Sequence, residues 1–447
     1  MRNELPPGPP YPRLIQSIGW WSRTVPFAER CRRIYGNRFT IRVFGVPPFV
    51  MHSDPEHVKE IFTASPEDLH PGEGARILEP IVGANSVILL DEAKHMEQRK
   101  LMLPAFHGEK MKALTGLMEE AAVAEVESWP RGEAGEMQPR MQRLTLDIIL
   151  RAVFGLDPGP RMDKLRDRLA AMLDFGDSPI SLSPPDPESL TGRLAARVGP
   201  FARFRRMQQE ADELIFELID ERRSEQGDRD DILSMLLEAR HEDGSPMTSQ
   251  ELRDELMTML VAGHETTASS LSWACERLTR TPAVLARLTN EIDSGDDDAY
   301  LTATIQETLR RRPVLPNAAP RLTMREIEIG GWTFPPGVSL VVSTYLLHHD
   351  ASIYPDPYAF RPERFLESPP GTYTWTPFGG GRRRCLGASF ATLEMKIVLR
   401  AILSRCELAP GAQGPEFTRR RNITVRPGLG ARTVVRDRTT APEPVPA

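Results

Sequence analysis

Residues 378–387 read Phe-Gly-Gly-Gly-Arg-Arg-Arg-Cys-Leu-Gly, which puts four glycines, three arginines and one cysteine into ten positions. The run 388–403 that follows repeats apolar side chains at Phe390, Leu393 and Ile397, steps of three and four that predict a helix. Cys385 therefore ends a flexible loop just before a helix N-terminus. Unpaired amide donors and the positive end of the helix dipole favour an anion there. This placement predicts a lowered thiol pKa and a larger fraction of thiolate, the form that binds metal. Glycines at 379, 380, 381 and 387 let the backbone approach a bulky, flat ligand without Cβ clashes. Three plainer readings compete: an inert buried thiol, a solvated arginine patch, and a phosphate loop. The last requires a preceding strand and a Walker or dinucleotide spacing, and neither is present.

Composition narrows the class. The chain has 447 residues, 40% of them hydrophobic, enough for one large core. A net charge of −6 and a pI near 6.0 argue against general nucleic-acid binding. The four cysteines, Cys31, Cys275, Cys385 and Cys406, are scattered, with no CxxC pair. That is neither a disulfide framework nor a zinc site, and it suits a reducing cytoplasm. No apolar run is long enough for a signal peptide or a membrane span.

In chain order, residues 1–12 are a Pro-rich, extended lead-in. A helix is expected over 26–35, then paired strands at 39–44 and 47–51, then a short helix at 54–62 opened by Ser53-Asp54-Pro55. The segment 65–91 lacks a sustained period and reads as loops and short helices. Helices follow at 92–103, 114–129, 144–154, 162–173, 201–224 and 232–239, with a Pro-, Ser- and Asp-rich loop at 179–187 placed between long surface helices, where mobile lids are found. Strands are expected at 322–333 and 338–345. A last hairpin over 420–425 and 431–435 would turn at Pro427-Gly428-Leu429-Gly430. The tail 439–447 reads as disordered.

The longest helical pattern, 251–280, opens with a Thr248–Glu251 capping box. In mid-run it holds Ala262-Gly263-His264-Glu265-Thr266-Thr267. Gly263 costs ~1 kcal/mol relative to alanine inside a helix, and two β-branched threonines follow. Such local conflict with helix propensity points to a functional site. Thr266 lies one turn after Ala262, so its hydroxyl can bond the Ala262 carbonyl and open the helix there. Glu265 beside it supplies an acid for proton delivery. The bland alternative is a closely packed helix with Glu265 and His264 in solvent.

Phe378-x-x-Gly381-x-Arg383-x-Cys385-x-Gly387 resembles the haem-binding loop of the cytochrome P-450 family at every position that the family specifies. Ala391, Glu394 and the Ala262–Thr267 run are similar to the family as well. The resemblance implies a mainly α fold with a small β region in a single large domain, and heme b held by Cys385 as axial thiolate. A thiolate ligand pushes electron density toward iron and favours O–O cleavage. Thr266 is assigned to hydrogen-bonding the iron-bound peroxide and Glu265 to relaying protons, with Ala262, Phe378, Gly379 and Gly387 around the cofactor. His95 and Arg99, an i,i+4 pair in 92–103, otherwise read as a solvated face. The family counterpart of that helix crosses the haem edge, so they join Arg321 and Arg383 as propionate candidates. Glu307, Arg310 and Arg364 resemble the family's buried charge network.

The resemblance also implies O2 as co-substrate and an apolar small molecule as substrate, of fatty-acid, terpenoid, steroid or polyketide type. Electrons would come from a ferredoxin or flavodoxin with its reductase, which the basic run Arg382–Arg384 could help dock. No nucleic-acid partner, no membrane anchor, a cytoplasmic location and a monomer as default complete the expectation. Rival readings are a non-catalytic haem-binding protein, a peroxide isomerase or dehydratase on the same fold, and a hydrolase or transferase using Cys385 as nucleophile.

Overall fold

The structure is a computed structural model and describes residues 5–106, 108–175, 199–224, 229–295 and 297–438. The expected loop at 179–187 and the tail at 439–447 lie outside these residues. The lead-in is extended and pinned: Thr40 donates from its backbone N–H to Pro7 O and from its hydroxyl to Pro6 O. Arg38–Ile41 pairs antiparallel with Phe49–His52, as the alternation predicted. Ser339–Val342 then adds in parallel, followed by Arg321–Thr323 and Leu69–His70. This small sheet buries Val50, Leu340 and Val342 against Val58 and Ile61 of the helix Pro55–Thr63. Asp54 caps that helix by accepting from Glu56 N, with proline in its first position.

The helical part is built on Ser249–Thr279, opened by the capping box between Thr248 and Glu251. It packs on Met137–Phe154, and the small residue at Gly263 makes this possible. A Cβ there would stand 2.6 Å from Ile149 Cδ1. On another side it meets Ala388–Arg405, the helix after the cysteine loop, where buried Glu394 faces Thr267. Nearly all of the central helix is buried, including Leu252, Leu256, Leu260 and Trp273. At 261–263 and 266 the shielding breaks, and Ala262 is exposed in mid-helix.

Ala299–Arg311 carries the charge network. Glu307 and Arg310 are fully buried and joined through two bonds of 2.7 and 2.9 Å, and Arg364 Nε reaches Glu307 at 3.1 Å. Arg310 also donates to the carbonyls of His348, Pro357 and Ala359, so no donor of this buried cation is wasted. His348 continues the chain of contacts by accepting from Thr376 N, two residues before Phe378. A metal reading of His348 and His349 finds no cluster of ligands among the described residues.

Two expectations need correction. The last hairpin turns at Asn422–Ile423, pairing Thr418–Arg421 with Thr424–Pro427. The run Arg432–Asp437 instead lies between Cys406–Pro410 and Ala134–Glu136. Asn422 takes the left-handed conformation (φ 51°) that a tight turn needs. The Gly428 backbone lies against the Phe417 ring and leads away from the hairpin. Helices at Arg13–Ser22 and Pro282–Ser294 had no counterpart in the sequence reading.

Candidate active site

The loop before Ala388–Arg405 is closed on itself by Cys385 N–H donating to Phe378 O at 3.0 Å. Phe378 is held by an edge contact with Trp375, centroids 6.0 Å apart. The four glycines divide by role. Gly381 has φ 63°, and a Cβ there would meet the Phe62 backbone oxygen at 2.0 Å, while one at Gly380 would enter the Phe62 ring. These two let the loop seat on the helix Pro55–Thr63. Gly379 and Gly387 instead have no heavy atom within van der Waals range of such a Cβ, the nearest lying 4.0 Å away.

Cys385 is solvent-accessible, yet protein surrounds its sulfur closely enough that desolvation governs its thiol. Burial raises the thiol pKa, against the lowering expected from a helix N-terminus. The Gly387 N–H and the guanidinium groups of Arg99 and Arg384 pull the other way without overcoming it. The helix begins three residues later, with Gly387 as its N-cap, so its dipole acts on the sulfur from a distance.

Cationic and donor groups gather nearby. His95 is 4% exposed, not on a solvated face, and is pushed down to about 3 by burial, then by Arg383 and Arg99. It is therefore a neutral imidazole. Arg99 is lowered by burial and feels Cys385. Arg321 is pushed down to about 9 by burial and Arg383, and its Nη1 donates to Ile61 O at 2.6 Å. Arg383 is pushed down to about 10 by burial, with Asp91 opposing. It donates to Val87 O at 3.1 Å, to Leu90 O, and to Asp91 at 2.5 Å. Three arginines and a histidine thus perturb one another, and of these Arg383 is paired with the carboxylate of Asp91. This donor set fits a flat group that carries two carboxylates.

On the central helix Thr266 donates to Ala262 O at 2.6 Å, as its spacing required. Both stand on the accessible stripe. Glu265 points elsewhere: it is 8% exposed and accepts from Gln142 at 2.8 Å, with Ser269 at 3.3 Å and Arg421 Nη1 at 3.4 Å. His264 is fixed in the core against Thr145 at 2.9 Å.

Sequence reasoning missed Asp91, Asp254, Gln142 and Arg421. Asp254 accepts from Asn85 N–H at 3.0 Å and from its side chain at 2.8 Å, anchoring the segment that delivers Val87, Leu90 and Asp91 to Arg383. These partners lie more than a hundred residues apart, and no local pattern announces them.

The model of the family described as "Cytochrome P450" matches residues 6–431. A Mycobacterium tuberculosis protein named cytochrome P450 135B1 is 40% identical over 439 residues, covering 97% of this chain and 91% of the relative. Cytochrome P450 138 of the same organism is 36% identical over 436 residues, covering 97% of each. Among solved structures, a retinoic-acid-bound cyanobacterial CYP120A1 superposes with a TM-score of 0.83 at 24% identity, covering 97% of this chain and 100% of that one. The haem domain of cytochrome P450DA gives the same TM-score and identity, with 97% and 98% covered. A match along almost the whole length, at this identity, means that the chain belongs to the cytochrome P450 family.

Proposed function

We propose that this protein is a haem-thiolate monooxygenase that inserts one oxygen atom of O2 into an apolar small molecule, by hydroxylation or epoxidation. The observation that carries the reading is Cys385: an exposed cysteine in the glycine loop whose thiol feels Arg99, which in turn acts on His95 beside Arg383 and Arg321. The cofactor is heme b, which when bound supplies the redox centre for O2 activation. Cys385 would hold the iron through its sulfur, which accepts from Gly387 N–H. Arg99, Arg321, Arg383 and neutral His95 donate to the propionates, while Phe378, Gly379, Gly387 and Ala262 line the cofactor.

Thr266 spends its hydroxyl proton on Ala262 O, which leaves its oxygen as an acceptor that can hold a water in place. Glu265 loads with a proton on the Gln142 and Arg421 side and delivers it by turning about its side-chain torsions. Electrons come from a ferredoxin or flavodoxin with its reductase. Substrates are of fatty-acid, terpenoid, steroid or polyketide type, a reading supported by the partly buried apolar cluster of Ile81, Ile88 and Val261, the last beside exposed Ala262.

The test is the absorption spectrum of the reduced, carbon-monoxide-exposed protein. The expected result is the red-shifted Soret band of thiolate-ligated haem, abolished in Cys385→Ala. A Soret band unaffected by Cys385→Ala would overturn the ligand assignment.

A further inference from the structure

The helix Arg13–Ser22 is inside out. Its buried side chains include Gln16 and Ser17 beside Trp20, whereas Leu14, Ile15 and Ile18 are 59%, 52% and 59% exposed. At 100° per residue the two sets occupy opposite faces of the helix. Hydrogen bonds fix this rotation. Gln16 donates to Pro9 O at 3.1 Å and to Tyr11 O at 2.8 Å, and accepts from Arg42 N at 2.8 Å. Ser17 accepts from Phe44 N at 2.9 Å, which sets Phe44, itself 58% exposed, next to the helix. Turning the apolar stripe inward would break all of these bonds. Scattered exposed apolar residues are ordinary, but a contiguous apolar stripe on one fixed face marks a contact surface.

Charge identifies the occupant. The first fifty residues hold eight arginines and two glutamates, a formal +6 in a chain whose total is −6. Arg13, Arg23 and Arg33 are exposed and pair with no carboxylate among the described residues. A second copy of this chain would set like charge against like across such a face. Four exposed side chains are also too few for a standard interface, which takes about 800 Å² from each partner. An apolar stripe on a helix that begins at exposed Arg13 and is followed by exposed Arg23 instead matches the interface of an anionic bilayer, where acyl chains take the apolar side chains and headgroups take the cations. Among the described residues no helix is long and apolar enough to cross a membrane, so the contact is one of lying on the surface.

We propose that the Arg13–Ser22 face, with Phe44, docks this protein on anionic lipid surfaces. The helix is already folded and oriented, so docking requires no ordering of the segment. The test is co-sedimentation of the full, haem-loaded chain with phosphatidylcholine vesicles, with and without phosphatidylglycerol. Binding to the anionic vesicles should exceed that to neutral ones by on the order of tenfold at low salt. Leu14→Glu with Ile18→Glu should reduce binding to the neutral-vesicle level, and Arg13→Glu with Arg23→Glu should remove the salt dependence. An unchanged haem spectrum establishes that each variant is folded. Equal binding to both vesicle types, or wild-type binding by the Leu14→Glu, Ile18→Glu variant, overturns the proposal. So does a dimer in sedimentation velocity that this variant dissolves, which would make a second copy the occupant.

Discussion

His52 sits fully buried at the end of a central strand, between the rings of His57 (5.5 Å) and Phe334 (5.8 Å), and neither of its ring nitrogens has a hydrogen-bond partner. Burial pushes it down to about 3, so it is neutral, and its one N–H is desolvated without return. An unsatisfied buried donor costs about 1–3 kcal/mol. His52→Leu, of similar volume, should therefore raise stability by about that amount, measured as the shift of the urea midpoint at pH 7. A loss of stability would show that the imidazole serves a need not visible in its contacts. Legibility at this scale follows sequence distance. The loop-before-helix setting of Cys385 and the Thr266–Ala262 bond were readable because loop chemistry and one helical turn are local facts. His52, Asp91 and Arg421 were not, because what matters about them is set by neighbours brought from far along the chain. The electrostatics of Cys385 were misjudged: the helix dipole was visible from the sequence, and the desolvation around the sulfur was not.

For whole elements, packing decides what propensity leaves open. Gly263 is poor for a helix, and its small size was read correctly as a requirement; its partner is the Ile149 side chain of Met137–Phe154. Gly263→Ala should gain about 1 kcal/mol of helix propensity and lose about 1–3 kcal/mol to overpacking against Ile149 Cδ1. Ile149→Val removes that methyl. In the Ile149→Val background, Gly263→Ala should then be stabilising by about 1 kcal/mol, and the comparison of the four proteins in a denaturant cycle isolates the contact. If Gly263→Ala costs the same in both backgrounds, the contact with Ile149 is not the reason for glycine. Long, strongly periodic helices and the capping box at Thr248 were legible from the sequence because their signals are repeated or local. The C-terminal strands were misassigned because Pro427-Gly428-Leu429-Gly430 carries stronger turn chemistry than Asn422-Ile423. Pairing Arg432–Asp437 with Cys406–Pro410 and Ala134–Glu136 depends on three short runs meeting, which no period reveals. The helix Arg13–Ser22 escaped for a related reason, since its polar residues face inward.

The whole molecule stores opposing proton linkages in its core. His264 and His348 are pushed down to about 3 by burial, as His52 is, and His349 moves the same way. In an unfolded chain a histidine titrates near 6.5. Below about 6.5 the unfolded state therefore binds protons that the folded state refuses, so this stability is present above 6.5 and is lost as pH falls toward 3. Glu255 acts in the opposite sense. Burial pushes its carboxyl up to about 8, while its Oε1 accepts from Val87 N at 2.7 Å. Here the folded state holds the extra proton, so the contribution is present at low pH and is lost as pH rises to about 8. Between pH 5 and 6.5 the five histidines, His95 among them, outnumber Glu255 and the similarly raised Glu394, and stability should climb with pH. Above 6.5 the histidines fall silent and the carboxyls should drag stability down, Glu255 alone by about 2 kcal/mol between 6.5 and 8. A maximum near pH 6.5 in the urea midpoint is the expected profile. Glu255→Gln keeps an acceptor for Val87 N and has no proton to lose, so it should flatten the alkaline limb and leave the acid limb intact. An alkaline limb as steep in Glu255→Gln as in the parent would assign the loss to other groups. Val87 belongs to the segment whose carbonyls and Asp91 hold Arg383, and its N–H favours the ionised carboxyl of Glu255 while burial, the larger effect, opposes it.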